Sequence, residues 1–168
     1  KIVFINDRVS KIDLSYENEN KIILNQDFEL DEDLSKNVLI NLNTAFLNNC
    51  IKITVNNGYK FQKPLILYNY LTSDLDSHGL NMRLDINLED DTSLDVINIS
   101  NESSKSNFLN FRQKINIGKN SVLKNYNLDI NPTSNIKYLY KDINLDQNSH
   151  LEYFILSKGS KFAKHDIN

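Results

Sequence analysis

Residues 115–123 read Ile115-Asn116-Ile117-Gly118-Lys119-Asn120-Ser121-Val122-Leu123, and this stretch decides the fold. Alternate residues of a strand face one side, so Ile115 and Ile117 point inward and Asn116 outward. Asn120 then turns the chain, because Asn tolerates the left-handed backbone better than other non-glycine residues. Leu123 opens a second inward-facing strand.

The same pattern recurs on either side. It reads Ile53-Thr54-Val55-Asn56-Asn57-Gly58-Tyr59-Lys60-Phe61 and Ile86-Asn87-Leu88-Glu89-Asp90-Asp91-Thr92-Ser93-Leu94 upstream, and Ile143-Asn144-Leu145-Asp146-Gln147-Asn148-Ser149-His150-Leu151 downstream. The starts at 53, 86, 115 and 143 are spaced by 33, 29 and 28 residues. One such unit cannot bury its own apolar face, whereas stacked units cover one another. A near-constant interval with no helical periodicity inside it predicts a β-solenoid with one coil per unit. A sandwich also places short strands in series, but does not require one motif to return at a fixed interval. The second strand of the third unit is expected to continue inward through Tyr126, Leu128 and Ile130, and that of the fourth through Phe154 and Leu156.

Upstream of the repeats, Ile2-Val3-Phe4-Ile5 and Val9, Ile12 and Leu14 flank the turn signal Asn6-Asp7, which predicts two strands. A short apolar Ile22-Ile23-Leu24 follows. Residues 31–49 carry the one strong helical pattern. Leu34, Val38, Leu42 and Phe46 fall four apart, with Leu39 and Ala45 beside them, and Asn48-Asn49 is the stop. Asp31, Glu32 and Asp33 suit the helix N-terminus, where Asp31 or Asp33 caps. Residues 1–50 therefore read as the end of an N-terminal region and 51–168 as the first coils of the solenoid. Ser160–Asn168 look like another strand beginning, with no capping element, and the chain lacks an initiator Met. The expectation is a piece cut from a longer protein.

Composition limits the function. The net charge of -3 offers no basic footprint for nucleic acid, and no apolar run is long enough for a membrane span. Asn occurs 27 times among 168 residues while Gly occurs only 4 times, so Asn is available for turns that elsewhere use Gly. A lone cysteine, Cys50, excludes an internal disulfide framework and suits a reducing, cytoplasmic compartment. Nucleotide-binding, zinc-protease and nucleophile-elbow motifs are all missing. Asp76 and His78 share a loop that reads as an exposed turn before it reads as a metal site. His150 occupies a repeat position held elsewhere by Lys60, Ser93 and Val122. His165-Asp166 lies in the last coil, and Cys50 enters the first as a small buried hydrophobe. Carboxylates such as Glu89-Asp90-Asp91 fall in turns, where nothing sets two of them up as acid and base. No catalytic, cofactor-binding or metal-binding residue is assigned, and the chain reads as a scaffold rather than an enzyme.

The segment Leu42-Asn43-Thr44-Ala45-Phe46, leading through Cys50 to Val55, resembles the SufB/SufD family of iron–sulfur cluster assembly proteins. There an LNxAF helix end leads into a strand and then a G-x-x-(hydrophobic)-x-x-P step, similar here to Gly58-Tyr59-Lys60-Phe61-Gln62-Lys63-Pro64. Val3-Phe4-Ile5-Asn6-Asp7 is similar to the opening strand and turn of SufD proteins. Gly159–Ile167 resembles a family coil in which Arg commonly stands near Lys164. Gly is common in the family where Cys50 stands. The SufD side is favoured by the opening hairpin and by the lack of a cysteine-rich stretch.

The resemblance implies a mainly β fold, a right-handed parallel β-helix (β-solenoid) with one short preceding helix. It implies a non-catalytic scaffold subunit that pairs with a SufB-like subunit and binds a SufC-like ATPase through regions beyond Asn168. The iron–sulfur cluster would be assembled transiently by the whole SufBCD complex, with no cofactor bound by this stretch, no nucleic acid and no membrane. The alternative is a structural β-solenoid that self-assembles end to end. A β-helical polysaccharide-acting enzyme would need carboxylates clustered on one face, and the outward positions hold Lys, Asn and Asp without such a cluster.

Overall fold

The computed structural model describes residues 1–26, 35–47, 49–103, 105–131 and 133–168. The chain forms β1 (Ile2–Ile5), β2 (Arg8–Ile12), β3 (Ile22–Gln26), α1 (Val38–Ala45), β4 (Cys50–Val55), β5 (Leu65–Leu71), β6 (Gly79–Leu88), β7 (Ser93–Glu102), β8 (Phe108–Ile117), β9 (Val122–Ile130), β10 (Ile136–Leu145), β11 (His150–Lys158) and β12 (Phe162–Ile167). From β4 onward successive strands alternate between two sheets. One sheet runs β2-β1-β5-β7-β9-β11 and the other β3-β4-β6-β8-β10-β12. The coils pair in parallel, so the chain winds as a β-solenoid of about four turns.

The register is the one the repeats predict. Ile53 lies opposite Ile86, Ile86 opposite Ile115, and Ile115 opposite Ile143. Leu94, Leu123 and Leu151 stack likewise on the other sheet. The turning position of each coil is occupied by Gly58, Asp91, Asn120 and Asn148, with φ of 72°, 57°, 55° and 57°. Three non-glycine residues thus hold a left-handed backbone, all of them Asn or Asp, the types that adopt it at least cost. Their side chains bind one another along the stack. Asn120 Nδ2 donates to Asp91 Oδ1 at 3.1 Å, and Asn148 Nδ2 donates to Asn120 Oδ1 at 3.3 Å. Beside them Thr92 and Ser149 donate to the carbonyls of Glu89 and Asp146, closing their own turns.

The opening strands belong to the same sheets. β1 and β2 form the expected hairpin around Asn6, whose φ is 58°, and β1 adds in parallel to β5. β3 pairs antiparallel with β4. Ile2, Phe4 and Ile22 join Ile53, Val55, Leu67, Ile86, Leu94, Ile115 and Leu123 in one core.

The helix is shorter than the sequence pattern and buries a different face. Of the expected span, Asp31, Glu32, Asp33, Leu34 and Asn48 lie outside the described residues. Residues 35–37 are not helical, and Asn37 is the cap, its Oδ1 accepting from the Leu39 N–H at 3.0 Å. The helix stops at Phe46. Val38 and Phe46, expected on the buried stripe, are 75% and 63% exposed, whereas Ile40 and Asn43 are buried. Asn43 is what docks α1 on the outer face of the second sheet: its Nδ2 donates to the carbonyls of Met82 at 3.0 Å and Asn110 at 2.8 Å. Two directed hydrogen bonds from a fully buried amide override a hydrophobic stripe here.

A second correction concerns the later strands. Tyr126, Leu128 and Ile130 face outward, as do Phe154 and Leu156; Ile130, Phe154 and Leu156 are 56%, 49% and 42% exposed. Leu123 faces in, so strict alternation sends Asn125, Asn127 and Asp129 inward after it, and Tyr153 and Ile155 after Leu151. The interior is apolar where the first coils stack, and part of it turns polar in the later ones.

Candidate functional site

The polar part of the interior is the candidate site. In several columns, side chains that are apolar in early coils become polar in later ones. Leu80 and Leu109 stack on Lys137, and Leu84 is followed by Gln113 and Lys141. On the facing sheet Leu65 and Val96 are followed by Asn125 and Tyr153, and Leu67 by Asn98 and Asn127. His165 on β12 lies opposite Leu139 of β10.

These groups divide into two sets. In the first, one cation is shared by two carboxylates. The Lys137 ammonium crosses the lumen to Glu102 on β7 and to Asp129 on β9, the latter at 2.7 Å and 2.9 Å to its two oxygens. Asn135 adds a donor to Glu102. Asn98 and Asn127 both donate to Asn125 Oδ1, at 2.8 Å and 3.0 Å.

The second set, with Lys137 and Asp129 of the first, borders a cavity of about 60 Å³ whose wall is otherwise mostly apolar, with Leu71, Met82, Phe111 and Ile155 beside Lys141, Tyr153 and His165. Lys141, 3% exposed, donates to Gln113 Oε1 at 2.5 Å and sits 4.7 Å from the Tyr153 ring centroid. Burial pulls its ammonium down from the ordinary 10.5 to about 7. The same burial raises the Tyr153 phenol above its usual 10. His165 is lowered by burial first and by the Lys141 charge second. Among the described residues, the Tyr153 hydroxyl, both His165 ring nitrogens, Gln113 Nε2 and Asn125 Nδ2 have no hydrogen-bond partner.

The residues weighed from sequence are scattered by comparison. His78 is exposed, its Nδ1 2.8 Å from the Asp76 carbonyl, while the Asp76 carboxylate accepts from the Lys105 N–H at 2.6 Å and so fastens the next coil. His150 lies opposite Val122, the repeat position assigned to it. Cys50 is buried and in no disulfide. Glu89, Asp90 and Asp91 each bind a neighbouring coil, accepting from the Asn57 N–H, the Lys119 N–H and Asn120 Nδ2. Asp166 faces out, bound by Lys164 at 2.9 Å and by the Tyr138 hydroxyl at 2.8 Å, and these two bonds lower its carboxyl. Among the described residues no three His, Cys, Asp or Glu are placed to hold a metal ion, and no helix is long and apolar enough to cross a membrane. Of the candidates, His165 alone meets the lumen. Lys141 and Tyr153 went unnoticed in the sequence, although the two-residue period from Leu151 and Ile143 points both inward.

No protein-family model matches the chain, and no curated protein matches it as a relative.

Proposed function

We propose that this chain is a non-catalytic, SufD-like scaffold that works beside a SufB-like subunit and a SufC-like ATPase in iron–sulfur cluster assembly, in the cytoplasm. The observation that carries the reading is the place of the LNxAF-like segment. Asn43 is the residue that fixes α1 to the second sheet just before β4 enters the first coil. The family-like opening turn is built around Asn6 at φ 58°, the later glycine step around Gly58 at φ 72°, and the final coil around Gly159 at φ 101°. The segments that suggest the family are thus the ones that turn or dock the backbone, as a shared architecture would require. The test is to express the reading frame that encodes this chain with SufB-like and SufC-like subunits. Stoichiometric co-purification supports the scaffold; a chain that ignores both partners ends it.

The alternative is a self-assembling solenoid. The observation in its favour is that successive coils repeat one register, Ile53 on Ile86 on Ile115 on Ile143, so each coil presents the next with the same surface to stack on. Reversible filaments in electron micrographs of the purified chain would favour it.

A further inference from the structure

The outer face of the first sheet is apolar from β1 to β11. Parity fixes which side chains it carries: Leu94, Val96 and Asn98 turn inward, so Asp95, Ile97 and Ile99 of β7 turn outward. The register then lays apolar side chains in rows. Ile97 lies opposite Tyr126 and Tyr126 opposite Phe154; in the next row Ile99 lies opposite Leu128 and Leu128 opposite Leu156. β5 extends both rows with Ile66 and Tyr68, and β1 adds Val3 beside Tyr68. The charges on β7, β9 and β11 stand at the rim, with Asp95, Lys124 and Glu152 at one end of the strands and Lys158 at the other. The outer face of the second sheet is covered by α1, which packs on β6 and β8; among the described residues no element packs on the first sheet in that way. Five strands ~4.8 Å apart, with six residues of each at ~3.3 Å, outline roughly 500 Å². Aromatic and branched side chains add contour to that outline, which brings the face near the ~800 Å² that each partner of a standard interface buries.

We propose that this face packs on the same face of a second copy of the chain, about a twofold axis that runs over the column Leu67, Asn98, Asn127 and Ile155. Each strand then meets its own copy running the other way, in one self-complementary contact. The outward residues on either side of that column are apolar in every strand from β5 to β11. Ile97 therefore meets the partner's Ile99, Tyr126 the partner's Leu128, and Phe154 the partner's Leu156. The rim obeys the same symmetry. Glu152 and Lys158 stand three residues to either side of Ile155, so each meets its opposite charge across the axis. Within one chain these two are separated by roughly 20 Å of strand and do not pair. The sheets would lie ~10 Å apart, as in a sandwich. A lipid surface suits the face less well, because Lys124 and Lys158 are balanced by Asp95 and Glu152 and leave no basic collar. The contact is lateral, distinct from end-to-end stacking of coils, and it does not depend on the scaffold reading.

Sedimentation velocity of the whole chain, from low to high micromolar concentration, tests this. The expected result is a reversible equilibrium between 19.5 kDa and twice that mass. Leu128→Asp, at the centre of the face, should weaken the dimer by roughly a hundredfold or more, because it places an unpaired carboxylate in the contact. If Leu128→Asp does not fold, Phe154→Ser, at a half-exposed position, takes its place. Glu152→Lys should weaken the dimer several-fold, and adding Lys158→Glu should recover most of the loss. Glu152→Lys also removes the pair with Lys124 of the same chain, which the second change does not repair, so recovery reports the contact between copies. A monomer at every concentration overturns the proposal. So does a dimer indifferent to Leu128→Asp and Phe154→Ser, a charge exchange that recovers nothing, a ladder of larger species with no dimer step, or a monomer that instead floats with phosphatidylcholine vesicles.

Discussion

Lys137 on one sheet and Glu102 on the other form an ion pair across the solenoid interior, with side chains 1% and 0% exposed. Asp129 closes the group from the next coil. The pair ties the two sheets together. Removing the cation alone would strand two buried carboxylates. Lys137→Met is therefore expected to lower stability by about 3–5 kcal/mol. Changing all three residues to apolar ones of similar volume should restore most of the loss. Urea unfolding of the single and triple variants checks this; equal losses in both would mean that the pairing contributes little.

The left-handed column makes a second prediction. Asn120 holds φ 55° and links Asp91 to Asn148. Asn120→Val forces a β-branched residue into that backbone and should cost about 1–3 kcal/mol. Asn120→Gly removes the side-chain bonds but fits the backbone, and should cost under about 1 kcal/mol. Thermal unfolding separates the two, and a Val variant as stable as the Gly one would refute the strain argument.

Gly118 gives a third, for a different reason. A Cβ there would come within 2.8 Å of the Glu89 carbonyl carbon and 2.9 Å of the Asp90 nitrogen, both backbone atoms of the preceding coil. Gly118→Ala must push two coils apart, at about 1–3 kcal/mol. The same exchange at Gly79, where the nearest atom is a Phe108 ring carbon at 3.9 Å, should be nearly neutral. Denaturant midpoints that move equally would contradict the close approach.

Lys141 predicts how stability depends on pH. Its folded pKa of about 7 lies below the ordinary 10.5, so the unfolded chain binds more protons between those values. Stability should rise with pH from about 7 by at most roughly 1.4 kcal/mol per unit. Tyr153 opposes this above pH 10, because its raised pKa lets the unfolded chain lose a proton that the folded chain keeps. Lys141→Met should flatten the rise and be the more stable protein at pH 7. Denaturation across pH 7–10 measures both; an unchanged slope in the variant would exclude Lys141 as its source.

Most of the solenoid could be read from the chain because its turns are written in residue types. Gly58, Asp91, Asn120 and Asn148 mark one backbone conformation, and the flanking Ile–x–Ile/Leu/Val pairs fix the register to the residue. The interior chamber is hidden in the sequence because the apolar Tyr126, Leu128 and Ile130 compete with the parity set by Leu123. Leu123 and Tyr126 are three apart and cannot share a face of an unbulged strand. Taking the period strictly would have sent Asn125, Asn127 and Asp129 inside. The helix face was missed for a related reason: the Val38, Leu42 and Phe46 periodicity is real, but Asn43 decides the docking through backbone carbonyls that no sequence pattern displays.

The outward Tyr126, Leu128 and Ile130 of β9 have a consequence for how the chain reaches this structure. Moving β9 by one residue would carry all three into the lumen and expel Asn125, Asn127 and Asp129 to solvent. Judged by hydrophobicity alone, that slipped register is the better one. What opposes it is the turn at Asn120 and the ion group of Lys137, and the latter can form only after β10 has been laid down. The search for the native state therefore passes a competing arrangement whose resolution waits on a later coil. This is local frustration, and it is expected to appear as a slow or divided refolding phase that ends when the fourth coil closes.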